Sequence, residues 1–292
     1  MCQQTHQEIE VIVVDYGSTD ATVDLALTYP DTRVSLTRIP NRGVCAARNV
    51  GLAQAAGKYI QFIDPYDLLD CGKIAYQVEA LRQSKDRTAI AYGPWWSFLN
   101  DAPWPRGASY TSGRSFSPAM EWLFASMEEG FYLPPHSWLL TREVAYAAGE
   151  WDERLIQNED GEYMSRVLEM ASQVIWVPDA QAYCRQQRDQ MSVGLSRLYA
   201  QSLILAADKI RDQMIDYIGY NPDRRRIISA LYLRILYRID NGDLEMVDQV
   251  WQRIHGLGLP DGRTRVGGVR FDMLKRHMGW ELAFKMKQLI RN

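Results

Sequence analysis

The chain has 292 residues, 47% hydrophobic and 24% charged, enough for one large α/β domain or for a domain with a smaller appendage. A formal net charge of -3 supplies no global field that would draw it to nucleic acid. Cys2, Cys45, Cys71 and Cys184 follow no zinc-binding or Cys-x-x-Cys spacing, so a reduced, cytoplasmic protein is the simple expectation. No apolar run approaches the roughly 20 residues that span a bilayer, and no basic segment followed by an apolar one reads as a signal peptide.

In chain order, the apolar run Glu10–Val14 predicts a short strand buried on both faces. Thr22–Thr28 reads as helix, Val34–Ile39 as strand, and Asn41-Arg42-Gly43 as a turn into an Ala-rich helix over Val44–Ala56 that Gly57 can end. Tyr59–Ile63 reads as a strand ending at Asp64, Lys73–Ser84 as an amphipathic helix, and Thr88–Tyr92 as a strand. Strand and helix alternating at this spacing imply βαβ units and a mostly parallel sheet. Residues 94–118, rich in Pro, Trp, Gly and Ser, read as irregular structure over the sheet. Helix 119–129, strand His136–Thr141, helix Glu159–Met170 and strand Val174–Val177 follow. Beyond a boundary near residue 195 the pattern is helical throughout, with helices expected over 197–218, 223–240, 243–255 and 271–290.

Two strands run into acidic turns, Val14-Asp15-Tyr16 and Ile63-Asp64-Pro65-Tyr66-Asp67. Ligands of open parallel sheets bind at the carboxyl ends of strands. Carboxylates there can accept from a base or ribose hydroxyls and can hold a cation on a diphosphate. Aspartates at turns and helix caps are also ordinary, so each one alone carries even odds. Arg48, in the first turns of its helix, can reach a phosphate or serve as a surface charge. Asn158-Glu159-Asp160 opens a helix, either as cap and dipole partner or as the site of a general base.

Together, IEVIVVDYGSTDAT, NRGVCAARNVGLAQAAGKYIQFIDPYDLLD and WDERLIQNEDGEYMSRVL followed by VIWVPD resemble the family 2 glycosyltransferases of the GT-A fold, over roughly residues 3–190. The resemblance implies an α/β, Rossmann-like nucleotide-diphospho-sugar transferase domain over 1–195, with a helical C-terminal extension over 196–292. It implies transfer of a sugar from a nucleotide-sugar donor to an acceptor hydroxyl, usually with inversion, in bacterial polysaccharide or glycoconjugate synthesis. Asp160 would be the base, Asp15, Arg48 and Asp64 the donor-binding residues, and Asp64 with Asp67 the ligands of a Mn or Mg ion. The acceptor would be a saccharide or a lipid-linked sugar.

The family pattern breaks at several points. Tyr16 replaces the second aspartate of the first loop, and Tyr66 replaces the usual metal ligand of the DxD segment. A phenol neutral at pH 7 is a poor ligand for a hard cation. Gln187 stands where relatives carry a histidine, with Arg185 and Arg188 as candidate cations for the diphosphate. The segment before Ile9 resembles the end of a first strand–helix unit that is otherwise missing, so a truncated start is expected. Residues 270–292 carry Arg270, Lys275, Arg276, Lys285, Lys287 and Arg291 beside Phe271, Leu274, Met278, Leu282 and Leu289. That helix suits either a membrane surface, placing the protein at the inner face of the membrane, or docking on its own domain. A degenerate, non-catalytic domain acting as a scaffold is the alternative to an enzyme, and a nucleotidyltransferase fits less well.

Overall fold

The computed structural model describes residues 1–99, 113–186, 196–239, 243–261, 264–267 and 269–291. The elements begin with β1 (Val11–Asp15), α1 (Thr22–Thr28), β2 (Val34–Arg38), α2 (Val44–Gln54), β3 (Tyr59–Ile60) and β4 (Leu68–Leu69). Next come α3 (Lys73–Ser84), β5 (Ile90–Tyr92), β6 (Trp95–Leu99), α4 (Glu121–Glu129), β7 (Trp138–Thr141), α5 (Arg142–Ala147) and α6 (Glu159–Met170). The chain continues through β8 (Val174–Trp176), β9 (Ala182–Gln186), α7 (Arg197–Ile218), α8 (Pro222–Ile228), α9 (Ala230–Arg238), α10 (Leu244–Leu257), α11 (Val269–Met278) and α12 (Trp280–Arg291). They form two compact units, Met1–Met120 with Tyr132–Met191, and Glu121–Phe131 with Ser192–Asn292. A single cut near residue 195 therefore does not describe the grouping, because α4 packs with the C-terminal helices.

In the first unit, β1 and β2 pair in parallel, Val11 opposite Val34 and Asp15 opposite Arg38. A second sheet runs in the order β3-β7-β5-β8 and a third in the order β4-β9-β6. The pairing is mixed rather than mostly parallel. β5–β8 and β6–β9 are parallel, whereas β3–β7, β5–β7 and β4–β9 are antiparallel. β5 lies between two neighbours with Ile90, Ala91 and Tyr92 fully buried, and α3 covers it through Ile74, Val78 and Leu81.

Two strands lie where irregular chain or nothing was expected. β6 falls within the Trp-rich stretch, and β9 falls at Ala182–Gln186; each supplies the backbone partner of the other. Residues 100–112 of that Trp-rich stretch lie outside the described residues, as do Gln187 and Arg188. β3 is only two residues long, so Asp64 stands four residues beyond the strand end and not on it.

The second unit is built from α4 and α7–α12. Its helices begin at side-chain caps: Ser196 accepts from the Tyr199 amide, Asn221 from Arg224 with Pro222 in the first turn, and Asp243 from Met246. The helix expected over 223–240 is divided at Ser229, and the one expected over 271–290 at Gly279, whose φ of 78° suits a residue without Cβ. A polar group ties the unit together. Asp208 on α7 receives hydrogen bonds from Arg253, Tyr232 and Arg211. Glu121 on α4 takes a two-armed bond from Arg224 on α8.

The basic C-terminal helices are partly docked. Phe271, Lys275, Trp280, Ala283 and Phe284 are buried, and Lys275 pairs with Asp272 at 2.7 Å. Met273 and Leu282 remain exposed. No helix among the described residues is long and apolar enough to cross a membrane.

Candidate active site

The first loop is fixed by its own aspartate. Asp15 ends β1 with its side chain 1% exposed. It accepts the Ser18 amide on one oxygen at 2.9 Å and Arg38 Nε on the other at 3.3 Å. The Ser18 bonds hold its carboxyl below the usual range, with Arg38 adding to them against the opposing effect of burial. Asp15 thus shapes the turn that carries Tyr16, which is exposed at its tip.

Arg48 is not free to act as a surface charge. Its side chain is 10% exposed, donates to Asp64 Oδ1 at 2.9 Å and to Glu159 Oε1 at 3.3 Å, and lies 4.3 Å over the Trp151 ring. Trp151 in turn stacks on Tyr163 at 4.1 Å between centroids, and Phe62 meets both rings edge-on. One guanidinium therefore joins α2, the segment after β3 and the start of α6. Burial pushes its pKa down, and the two carboxylates more than offset that.

The two aspartates proposed as a metal pair part company. The Asp67 amide donates to the Asp64 carbonyl at 3.1 Å, closing a turn with Pro65 at the position that fixes its φ. Asp64 keeps its carboxylate toward Arg48 and remains 41% exposed. Asp67 is 6% exposed, accepts the Arg185 amide at 2.9 Å on one oxygen, and has its other oxygen 2.6 Å from Nδ1 of the fully buried His136. Asp67 is therefore corrected from metal ligand to internal partner of His136 and β9. Tyr66 is exposed at the turn and its carbonyl accepts from Arg185 Nε. Among the described residues no cluster of three or more His, Cys, Asp or Glu side chains could hold a metal ion. Asp64 alone offers an accessible carboxylate, which suits Mg or Mn held chiefly by substrate phosphates.

The helix α6 delivers Asp160. Asn158 caps it in the left-handed region with φ 57°, and its side chain folds over the first turn. A Cβ on Gly161 would sit 2.4 Å from Asn158 Oδ1, so a larger residue there requires the Asn158 side chain to swing aside. The Gly161 amide donates to Asp160 Oδ1 at 2.8 Å, and the Tyr132 hydroxyl donates to the other carboxylate oxygen. Burial first, and then the Asp160 and Glu159 charges, push the Tyr132 phenol well up, so it is a donor at any working pH. Glu159 is also pushed up, by burial and then by Asp160, with Arg48 acting against both.

The structure thus joins Arg48, Asp64 and Glu159 directly, with the charge of Asp160 acting on Arg48 from the same helix start, while Asp15 bonds to Ser18 and Arg38. Against known proteins, residues 1–145 match glycosyl transferase family 2. The N-terminal half of the chain belongs to that family. An uncharacterized glycosyltransferase of Rickettsia conorii is 39% identical over 82 residues, 28% of this chain and 14% of the relative. One from Haemophilus influenzae is 39% identical over 84 residues, covering 28% of this chain and 34% of the relative. Glycosyltransferase GlyG of Streptococcus pneumoniae is 26% identical over 249 residues, with 78% of this chain and 79% of GlyG covered. The chain thus spans a minor part of the first two relatives and most of the third. Among solved structures, S. aureus TarS 1-349 in complex with UDP-GlcNAc superposes with a TM-score of 0.58 at 14% identity, over 95% of this chain and 86% of TarS. The fold is GT-A, with its helical C-terminal portion.

Within this fold, one neighbour each of Asp160, Arg48 and Asp67 carried no readable signal in sequence. Tyr132 stands 28 residues before Asp160 with no motif around it. Trp151 opens WDERLIQNED, but nothing in that string announces a ring beneath Arg48. His136 faces Asp67 across a span that only the fold closes.

Proposed function

We propose that the chain transfers a sugar from a nucleotide-sugar donor to an acceptor hydroxyl with inversion. The observation that carries this reading is Arg48, which links Asp64 on the donor side to the helix turn bearing Asp160. In the step proposed, Asp160 takes the acceptor proton, and the acceptor oxygen bonds to the anomeric carbon. The bond from that carbon to the β-phosphate oxygen breaks, and the nucleoside diphosphate leaves with the electron pair. Asp15 shapes the loop at the nucleotide, and Arg48 with Asp64 orients the diphosphate end. A Mn or Mg ion, held by Asp64 and the donor phosphates, would supply charge to the leaving group. The likeness to TarS with UDP-GlcNAc supports a uridine nucleotide as the first donor to try. Synthesis of a bacterial cell-envelope glycan, a cytoplasmic site, and peripheral membrane contact through the exposed Met273 and Leu282 beside Arg270, Arg276 and Lys285 complete the reading.

A scaffold without catalysis is the second reading, favoured by Tyr16 and Tyr66 standing exposed where the family carries acidic residues. Calorimetry of UDP and UDP-GlcNAc with and without Mn separates the two. Saturable binding that weakens in Asp64→Ala supports the enzyme, and heat no greater than dilution supports the scaffold.

A further inference from the structure

Both oxygens of Asp160 already have donors, the Gly161 amide and the Tyr132 hydroxyl. A carboxylate that is to receive an acceptor proton must give one of them up. The Gly161 bond belongs to the first turn of α6 and is locked by the Asn158 side chain lying on that turn. The Tyr132 bond comes from a side chain 49% exposed, between the buried Phe131 and Leu133. The half-buried Trp95 sits edge-on to Tyr132 with 6.5 Å between centroids, and its indole N–H donates to the Tyr132 carbonyl at 2.9 Å. One accessible ring, Tyr132, thus reaches the proposed base, and a second, Trp95, stands against the first. The C–H face of a saccharide packs on the electron-rich face of such rings, while its hydroxyls stay free to hydrogen-bond.

We propose that Tyr132 and Trp95 are the acceptor subsite, the rings receiving a saccharide and the Tyr132 hydroxyl keeping an Asp160 oxygen oriented until an acceptor hydroxyl takes its place. This rests on Asp160 being the base. Tyr132 is then a positioning residue as well as a binding one, and the two roles separate by substitution. Tyr132→Phe keeps the ring and removes the hydroxyl, whereas Tyr132→Ala and Trp95→Ala remove rings. The other charges facing Asp160 are Glu159 beside it, Arg48 from α2 and Asp64 from the turn, and all three remain in these variants.

The test uses the full chain and a panel of methyl glycosides of glucose, galactose and N-acetylglucosamine. Binding is read by saturation-transfer NMR and transfer is read with UDP-GlcNAc. The expected result is that at least one glycoside binds, that Tyr132→Ala and Trp95→Ala weaken it about five- to tenfold, and that Tyr132→Phe binds it like wild type. In Tyr132→Phe the turnover number of transfer falls while the acceptor KM stays at the wild-type value, because an Asp160 oxygen has lost the donor that orients it. No glycoside binding, equal binding in the alanine variants, or an unchanged turnover number in Tyr132→Phe overturns the proposal. Asp160→Asn run alongside isolates the underlying reading: full transfer in that variant removes Asp160 as base, whereas ring-dependent glycoside binding would still stand.

Discussion

Arg48 concentrates more of the site than any other residue. A guanidinium with two carboxylate partners and a ring beneath it is over-determined in position, and lysine cannot reproduce its fork. Removing it leaves Glu159 nearly buried without a counter-charge. Arg48→Ala is therefore expected to cost about 3 kcal/mol in urea unfolding and to weaken nucleotide binding, with Arg48→Lys recovering only part of either. The thiols give a second check at this scale. Burial pushes Cys45 up to about 12, and burial with Asp67 pushes Cys184 up to about 12, so both stay protonated at pH 8. A thiol-reagent titration at pH 8 should label the exposed Cys71 quickly and reach Cys45 and Cys184 only with unfolding.

Among the elements, the start of α6 places the proposed base, Asp160. Gly161→Ala pushes the Asn158 side chain off the first turn and crowds the backbone amide that holds Asp160, so transfer should fall about tenfold while the circular-dichroism spectrum is kept. In the helical unit, Asp208 is the only carboxylate shared by Arg211, Arg253 and Tyr232 among the hydrogen bonds described. Asp208→Ala leaves two guanidinium groups side by side and should cost about 2 kcal/mol by chemical unfolding. Legibility follows the same line. Helix α2 could be read because an Ala-rich run follows a glycine turn, and the start of α6 because a charged pair opens an amphipathic helix. Strands β6 and β9 escaped because each owes its form to a partner far along the chain, with Trp95 opposite Ala182. Asp67 misled because sequence reports proximity to Asp64 and not that a turn aims the two carboxylates at different neighbours. Tyr132 and His136 meet their aspartates only through tertiary folding, which no local pattern encodes.

Taken as a whole, the molecule should lose stability on the acid side. Asp15 and Glu121 are held low by hydrogen bonds from Ser18 and Arg224, and Asp208 is low despite burial, through Arg253 and Tyr232. A lowered carboxyl stabilises the fold above its ordinary value and loses that contribution as pH falls through its folded value. Glu159 has the opposite sign, since its raised value favours the protonated folded form and weakens the fold as pH rises through that window. Asp20, Asp31 and Asp86 are held low as well, so the lowered carboxyls outweigh Glu159, and thermal unfolding followed from pH 7 to pH 3 should show Tm falling below about pH 4. The two units also carry different parts of the account, the donor loop and base in the first and the Asp208 network in the second. What unites the reading is that Asp160 removes a proton during sugar transfer. The direct measurement is release of nucleoside diphosphate from UDP-, GDP- and dTDP-sugars, with and without Mn and saccharide acceptors, by wild type and Asp160→Asn. The account predicts acceptor-stimulated release from at least one donor by wild type, reduced about 10²–10⁴-fold in Asp160→Asn with donor affinity unchanged. Equal release by the two proteins, or no release from any donor by wild type, would contradict it.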